Sequence, residues 1–136
     1  MRKIGWTAFR FLAVQVGNSV EGLVALKRHP TSSLLSPPDV AIEIAILETA
    51  PWNVDGHPDG VRYRGVGSVL MVEAVLISRE AGLDGRVQLS ALPQAEDWYR
   101  RRGMTEVGPQ PPSGLVYFEY TQAQADALLT RTGVIP

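Results

Sequence analysis

The sequence predicts a mixed α/β fold, a sheet with helices on its faces, and three observations carry that prediction. Stretches of strand length and strand composition open the chain, at 8–16, 21–28 and 40–48. A long apolar run over 68–82, with Gly67 before it and Gly82 at its end, then reads as a helix. Strand and helix patterns alternate from there onward.

Each element has a local reason. AFRFLAVQV (8–16) and EGLVALKR (21–28) are linked through the turn residues Gly17, Asn18 and Ser19, so the pair reads as an antiparallel hairpin. HPTSSLLSPPD (29–39) is a Pro/Ser-rich loop. In VAIEIAILE (40–48), Ile42, Ile44 and Ile46 alternate with Glu43, Ala45 and Leu47, which predicts one strongly apolar face. TAPWNVDGHPDG (49–60) is dense in turn formers. SVLMVEAVLISREAG (68–82) is apolar over most of its surface and should lie buried against the sheet, with Gly82 just past its end. RVQLSAL (86–92) alternates as a strand. PQAEDWYRRRG (93–103) carries helix signals throughout: Pro93 first, Glu96 and Asp97 early, Arg100 to Arg102 late, Gly103 closing. A short strand (104–108), a rigid proline loop (109–114), a strand (115–121) and a helix (122–133) complete the order. No repeat or boundary divides the chain, so it reads as one domain over 1–136.

Composition narrows the function classes. The chain is 45% hydrophobic and 20% charged with a net charge of −1, so no global basic field argues for nucleic acid or anionic lipid. Cysteine is absent, which excludes disulfides, thiol catalysis and thiolate metal sites. His29 and His57 are far apart and lack a partnering carboxylate spacing, so no metal is expected. No apolar run approaches the ~18 residues of a spanning helix. The N-terminal residues alternate apolar with polar, unlike a signal peptide, so a cytoplasmic protein is expected.

RYRGVG (62–67) places two arginines and two glycines immediately before the long helix. Bare backbone at Gly65 and Gly67 lets N–H groups approach a ligand, and an N-terminal helix turn favours an anion. Arg62 and Arg64 add charge and donors, so the stretch reads as a cradle for phosphate or pyrophosphate, with a tight turn as the simpler alternative. The dinucleotide fingerprint fails because Leu70 stands where its third glycine would be, and no Gly-Lys-Ser/Thr follows.

Two motifs in order carry a resemblance. The strand ending ILETAPWN, the RYRGVGSVLMVEAV segment, a strand, and then LPQAEDWYRRRGM resemble the GNAT superfamily of N-acetyltransferases over roughly residues 10 to 121. The first motif is R-x-x-G-x-G at the head of a long helix; in the second, Ala95, Trp98, Tyr99 and Gly103 fit, with Met104 replacing an aromatic. The resemblance implies an α/β (α+β) fold whose mostly antiparallel sheet is splayed at its middle, with helices on both faces. It implies acetyl-CoA as cosubstrate, its pyrophosphate held by Arg62, Arg64, Gly65, Val66, Gly67 and Ser68. The pantetheine arm would enter between the strand ending Leu47, Glu48, Thr49 and the strand RVQLSAL, with Ser90 as a further contact. Glu48 takes the place of the base that frees the amine, or it is a solvated strand-end acid. Tyr99 takes the place of the acid that protonates the departing thiolate, or it is a packed tyrosine. Trp98 reads as core, and Trp52 as packing its loop onto the sheet rather than recognising an acceptor. Arg100 to Arg102 read as a solvated face with one able to reach a CoA phosphate.

No nucleophile with a paired base is apparent, so transfer straight to an amine acceptor is expected. The chain is shorter at its N-terminus than the family pattern, lacking most of the strand and helix pair that wall the acceptor pocket. A large acceptor, a homodimer partner supplying the wall, or a catalytically silent acyl-CoA-binding or interaction module would each suit that departure, and the 107–114 loop would form much of the remaining acceptor side.

Overall fold

The computed structural model describes residues 8–53, 60 and 63–135. The strands are β1 (Phe9–Val16), β2 (Ser19–Lys27), β3 (Thr31–Ser32), β4 (Val40–Thr49), β5 (Val87–Ala91), β6 (Thr105–Pro109) and β7 (Val116–Tyr120). The helices are α1 (Val66–Glu80), α2 (Glu96–Arg101) and α3 (Gln122–Arg131). They form a seven-stranded sheet in the order β1-β2-β4-β5-β7-β6, with β3 paired to the start of β4. Only the β4–β5 pair is parallel, and α1 is its crossover.

The β1–β2 hairpin turns on Gly17 and Asn18, since Val16 pairs directly with Ser19 and Gly17 sits at φ +59°. Helix α3 starts from a capping box: Thr121 accepts from the Gln124 N–H, and the Gln124 side chain accepts from the Thr121 N–H. The proline-led segment expected as a helix over 93–103 begins instead with a 3₁₀ turn, Pro93–Ala95, before α2. Helix α1 starts at Val66, two residues before the expected start at 68, so Gly67 lies inside the first turn rather than in an open loop.

Register in β4 departs from simple alternation. Ala25 pairs with Ile46 while the adjacent Leu26 pairs with Ile44, so Ala45 is an extra residue, a β-bulge. The bulge flips the faces beyond it. Ile42 and Ile44 are core, as expected, but Ile46 is 42% exposed and Leu47 packs against the core in its place.

All the helices contribute to one core. Leu70, Met71 and Val75 of α1, Tyr99 of α2, and Leu128 and Leu129 of α3 pack with Ile42, Ile44, Leu89, Phe118 and Tyr120 of the sheet. Burying each such side chain contributes about 1.5–3 kcal/mol. Among the described residues the helical layer is one-sided. The stretch 29–39, expected as a loop, contains β3; the segment after it covers the opposite face over β5 and β7, where Ser33 Oγ donates to Glu119 Oε2 at 2.5 Å and the Leu34 N–H donates to Glu119 Oε1 at 3.0 Å. No described helix is long and apolar enough to cross a membrane.

Candidate functional site

The sheet opens at its centre. β4 and β5 pair only from Ile42–Val87 to Ile44–Leu89; past that point both strands continue, β4 to Thr49 and β5 to Ala91, unpaired with each other. A cavity of about 500 Å³ fills the parting, lined by Leu47 and Glu48 from β4, Ser90 from β5 and Tyr99 from α2. A second cavity of about 500 Å³ lies beside it at the head of α1, where Thr49, Arg64, Gly65, Val66, Gly67 and Ser68 meet α2. Consecutive residues join the two: Glu48 with Thr49, and Tyr99 with Trp98. Of the residues expected at the site, the structure brings these together; Arg62 and His57 lie outside the described residues.

At the head of α1, Gly65 is the N-cap at φ +80°, left-handed backbone that favours glycine. It supplies no side-chain cap, and the first helical bond is the Val69 N–H to Gly65 O at 3.0 Å. The N–H groups of Val66, Gly67 and Ser68 therefore have no partner within the helix and suit an anion. Gly67 has a different reason from the expected ligand approach. A Cβ there would lie 2.8 Å from Trp98 Cζ2, so the missing side chain makes room for the indole.

That indole organises the charge. The Arg102 guanidinium lies 4.5 Å from the Trp98 ring centroid, and its Nε donates to Ser68 Oγ at 3.1 Å. Trp98, expected as core, is half-buried: it packs on the core and lines the cavity. The arginines of α2 divide. Arg100 is tied to Glu96 at 3.1 Å, to Asp97 at 2.5 Å and to Glu106, whereas Arg101 and Arg102 line the cavity at the head of α1.

Tyr99 is held edge-on to Trp98, with centroids 5.3 Å apart, and against Phe118 at 5.8 Å. Tyr99 is buried, its hydroxyl bonds no described residue, and burial pushes its pKa up. A phenol held neutral beside a cavity can donate a proton. Glu48 is exposed at the mouth of the same cavity. The described residues hold no cluster of metal-ligating groups.

The strut behind the site was not anticipated. Glu21 of β2 is fully buried; its Oε2 accepts from Trp52 Nε1 at 2.5 Å and from Asn53 Nδ2 at 2.9 Å, and Asn53 Oδ1 accepts from the Tyr63 N–H at 2.8 Å. This ties the end of β4 to the approach to α1, with Trp52 held to β2 by its indole N–H. Gly22 was also missed. A Cβ there would lie 2.6 Å from Val66 Cγ1, so the bare backbone lets the head of α1 sit down on β2. A glycine inside a strand pattern is the signal that points to such an approach.

No family model matches the chain, and no curated protein matches its sequence. Solved structures do match. FeeM, an N-acyl amino acid synthase from uncultured soil microbes, superposes with a TM-score of 0.64 at 10% identity, over 92% of this chain and 76% of that one. BjaI, a CoA-dependent acyl-homoserine lactone synthase, gives 0.58 at 16% identity over 98% and 68%. The Bacillus subtilis N-acetyltransferase YlbP, in complex with coenzyme A, gives 0.53 at 13% identity over 81% and 66%, so this chain spans just under two thirds of its length. With the parted sheet and the glycine-headed crossover helix, these likenesses show that the chain has the GNAT-like fold of acyl-CoA N-acyltransferases.

Proposed function

We propose that the protein is an acetyl-CoA-dependent N-acetyltransferase that moves the acetyl group directly onto an amine. One observation carries the reading: an anion-suited helix head adjoins a parting in the sheet that is lined by Tyr99, a buried tyrosine whose hydroxyl has no hydrogen-bond partner among the described residues. The first-turn amides of α1, with Arg101 and Arg102, would grip the diphosphate. The unpaired edges of β4 beyond Ile44 and β5 beyond Leu89 offer backbone groups to the pantetheine amides.

In that placement the amine attacks the thioester carbonyl after giving its proton to Glu48, directly or through water. The new C–N bond forms and the C–S bond breaks, Tyr99 Oη protonates the departing thiolate, and the second proton that the nitrogen sheds on becoming an amide restores the tyrosine through water. The raised pKa of Tyr99 keeps its proton in place at neutral pH. The structural neighbours include an N-acetyltransferase, an N-acyl amino acid synthase and an acyl-homoserine lactone synthase, and acetyl is the donor to test first.

A silent acyl-CoA-binding or interaction module is the second reading. It is favoured by an open sheet face: Phe11 and Ile46 flank Ala25 in one row and are 39% and 42% exposed. A second copy laid on that row would cover it. Calorimetry with acetyl-CoA tests the donor site, and thiol release over a panel of amines tests transfer. Binding without release with any amine would leave the silent module; no heat at millimolar acetyl-CoA would reject both readings.

A further inference from the structure

A third cavity, about 390 Å³, lies on the face of the sheet away from the helices. It shares Glu43 and Ser90 with the cavity between β4 and β5, so the two adjoin. Gln88 and Tyr117 line it from the sheet, and Pro111 and Pro112 rim it. Proline's fixed φ makes that rim stiff.

Its chemistry is one-sided. Glu43 is its only charged lining residue among the described residues, and the carboxylate of Glu119 stands behind, bonded to Ser33 and Leu34. The Tyr117 hydroxyl is pushed well above its ordinary pKa, by burial first and then by the charges of Glu43 and Glu119. Gln88 is 1% exposed; its Nε2 donates to Thr31 Oγ1, while its Oε1 meets no donor among the described residues. A buried acceptor left unpaired costs about 1–3 kcal/mol, which a ligand N–H would recover. Glu43 already holds one ammonium, that of Lys27, on Oε2.

We infer that this cavity binds a compact amine, held as its ammonium by Glu43 and Gln88, with no carboxylate beside the nitrogen, at a place on β4 five residues from Glu48. An α-carboxylate would face Glu43, with no cation among the described lining residues to receive it. Lys27 competes for the same carboxylate and tunes the affinity.

The test uses two pairs that differ by the α-carboxylate alone, tyramine with tyrosine and ethanolamine with serine. Binding is read from the Gln88 side-chain amide signal by NMR without CoA, so it does not depend on turnover. Tyramine or ethanolamine should move that signal, with its carboxylated partner about tenfold weaker or more. Glu43→Gln should weaken the amine about tenfold, and Lys27→Met, which keeps Glu43, should tighten it severalfold. The proposal is overturned if neither amine moves Gln88, if the carboxylated members bind as well, or if both variants leave affinity unchanged. Binding as expected with no thiol released in the presence of acetyl-CoA would sink the transferase reading and leave this site standing.

Discussion

Gly67 and Trp98 are complementary: the indole edge occupies the space of the absent side chain, 2.8 Å from where a Cβ would stand. Through that contact a glycine in α1 sets the height of an indole in α2, and the indole in turn carries Arg102 to Ser68. Gly67→Ala should therefore displace Trp98 and destabilise the fold by about 1–3 kcal/mol. Acetyl-CoA affinity should fall about tenfold with it, checked by chemical denaturation and calorimetry. Affinity within twofold of the parent would separate the glycine from the donor site.

Arg102→Met keeps much of the bulk over Trp98 and removes the charge. Acetyl-CoA affinity should drop about tenfold, and the salt dependence of binding should flatten. An unchanged salt slope would show that Arg102 is an ornament of the indole and no phosphate contact.

Tyr99→Phe removes one oxygen that no described residue bonds, so stability should hold within about 1 kcal/mol. With the best acceptor amine, kcat should fall about 100-fold while acetyl-CoA affinity stays within twofold. Loss of affinity with kcat unchanged would reassign Tyr99 to donor binding. Glu48→Gln tests the base separately: its effect should shrink as pH rises and the amine loses its proton unaided.

Gly22→Ala should lift the head of α1 from β2. The added Cβ meets Val66 Cγ1 at 2.6 Å, Leu70 Cδ1 at 3.0 Å and Glu48 O at 3.2 Å, and the last of these is backbone. A loss of about 1–3 kcal/mol is expected, with weakened acetyl-CoA binding although residue 22 lies outside the cavity at the head of α1. Val66→Ala in the same chain should restore part of both, because it opens the crowded spot.

Tyr120 sets an alkaline limit. Burial raises its pKa to about 12, and its hydroxyl donates to Arg102 O. The folded state thus holds a proton that the unfolded chain releases near pH 10. This stability is complete below pH 10 and is lost as pH rises toward about 12, at up to about 1.4 kcal/mol per pH unit for one proton. Denaturant midpoints measured across that window should fall, and fall less steeply in Tyr120→Phe; equal slopes would remove the assignment.

Element order apart from the two-residue β3, the hairpin at Gly17 and the glycine heading the crossover helix were legible in the sequence. They depend on turn chemistry, periodicity and capping, which act over a few residues. The remainder required the folded chain. Alternation put Ile46 in the core, but the bulge at Ala45 put Leu47 there, and bulges answer to the partner strand. Gly67 read as a ligand approach because nothing local shows Trp98 arriving from another helix. Glu43, Gln88 and Tyr117 read as ordinary strand residues until parallel and antiparallel pairing set them on one face under the 110–113 loop. Local preferences decide what each segment becomes. Which side chains share a cavity is decided by contacts between segments distant in sequence, and only burial and register in the assembled sheet establish those.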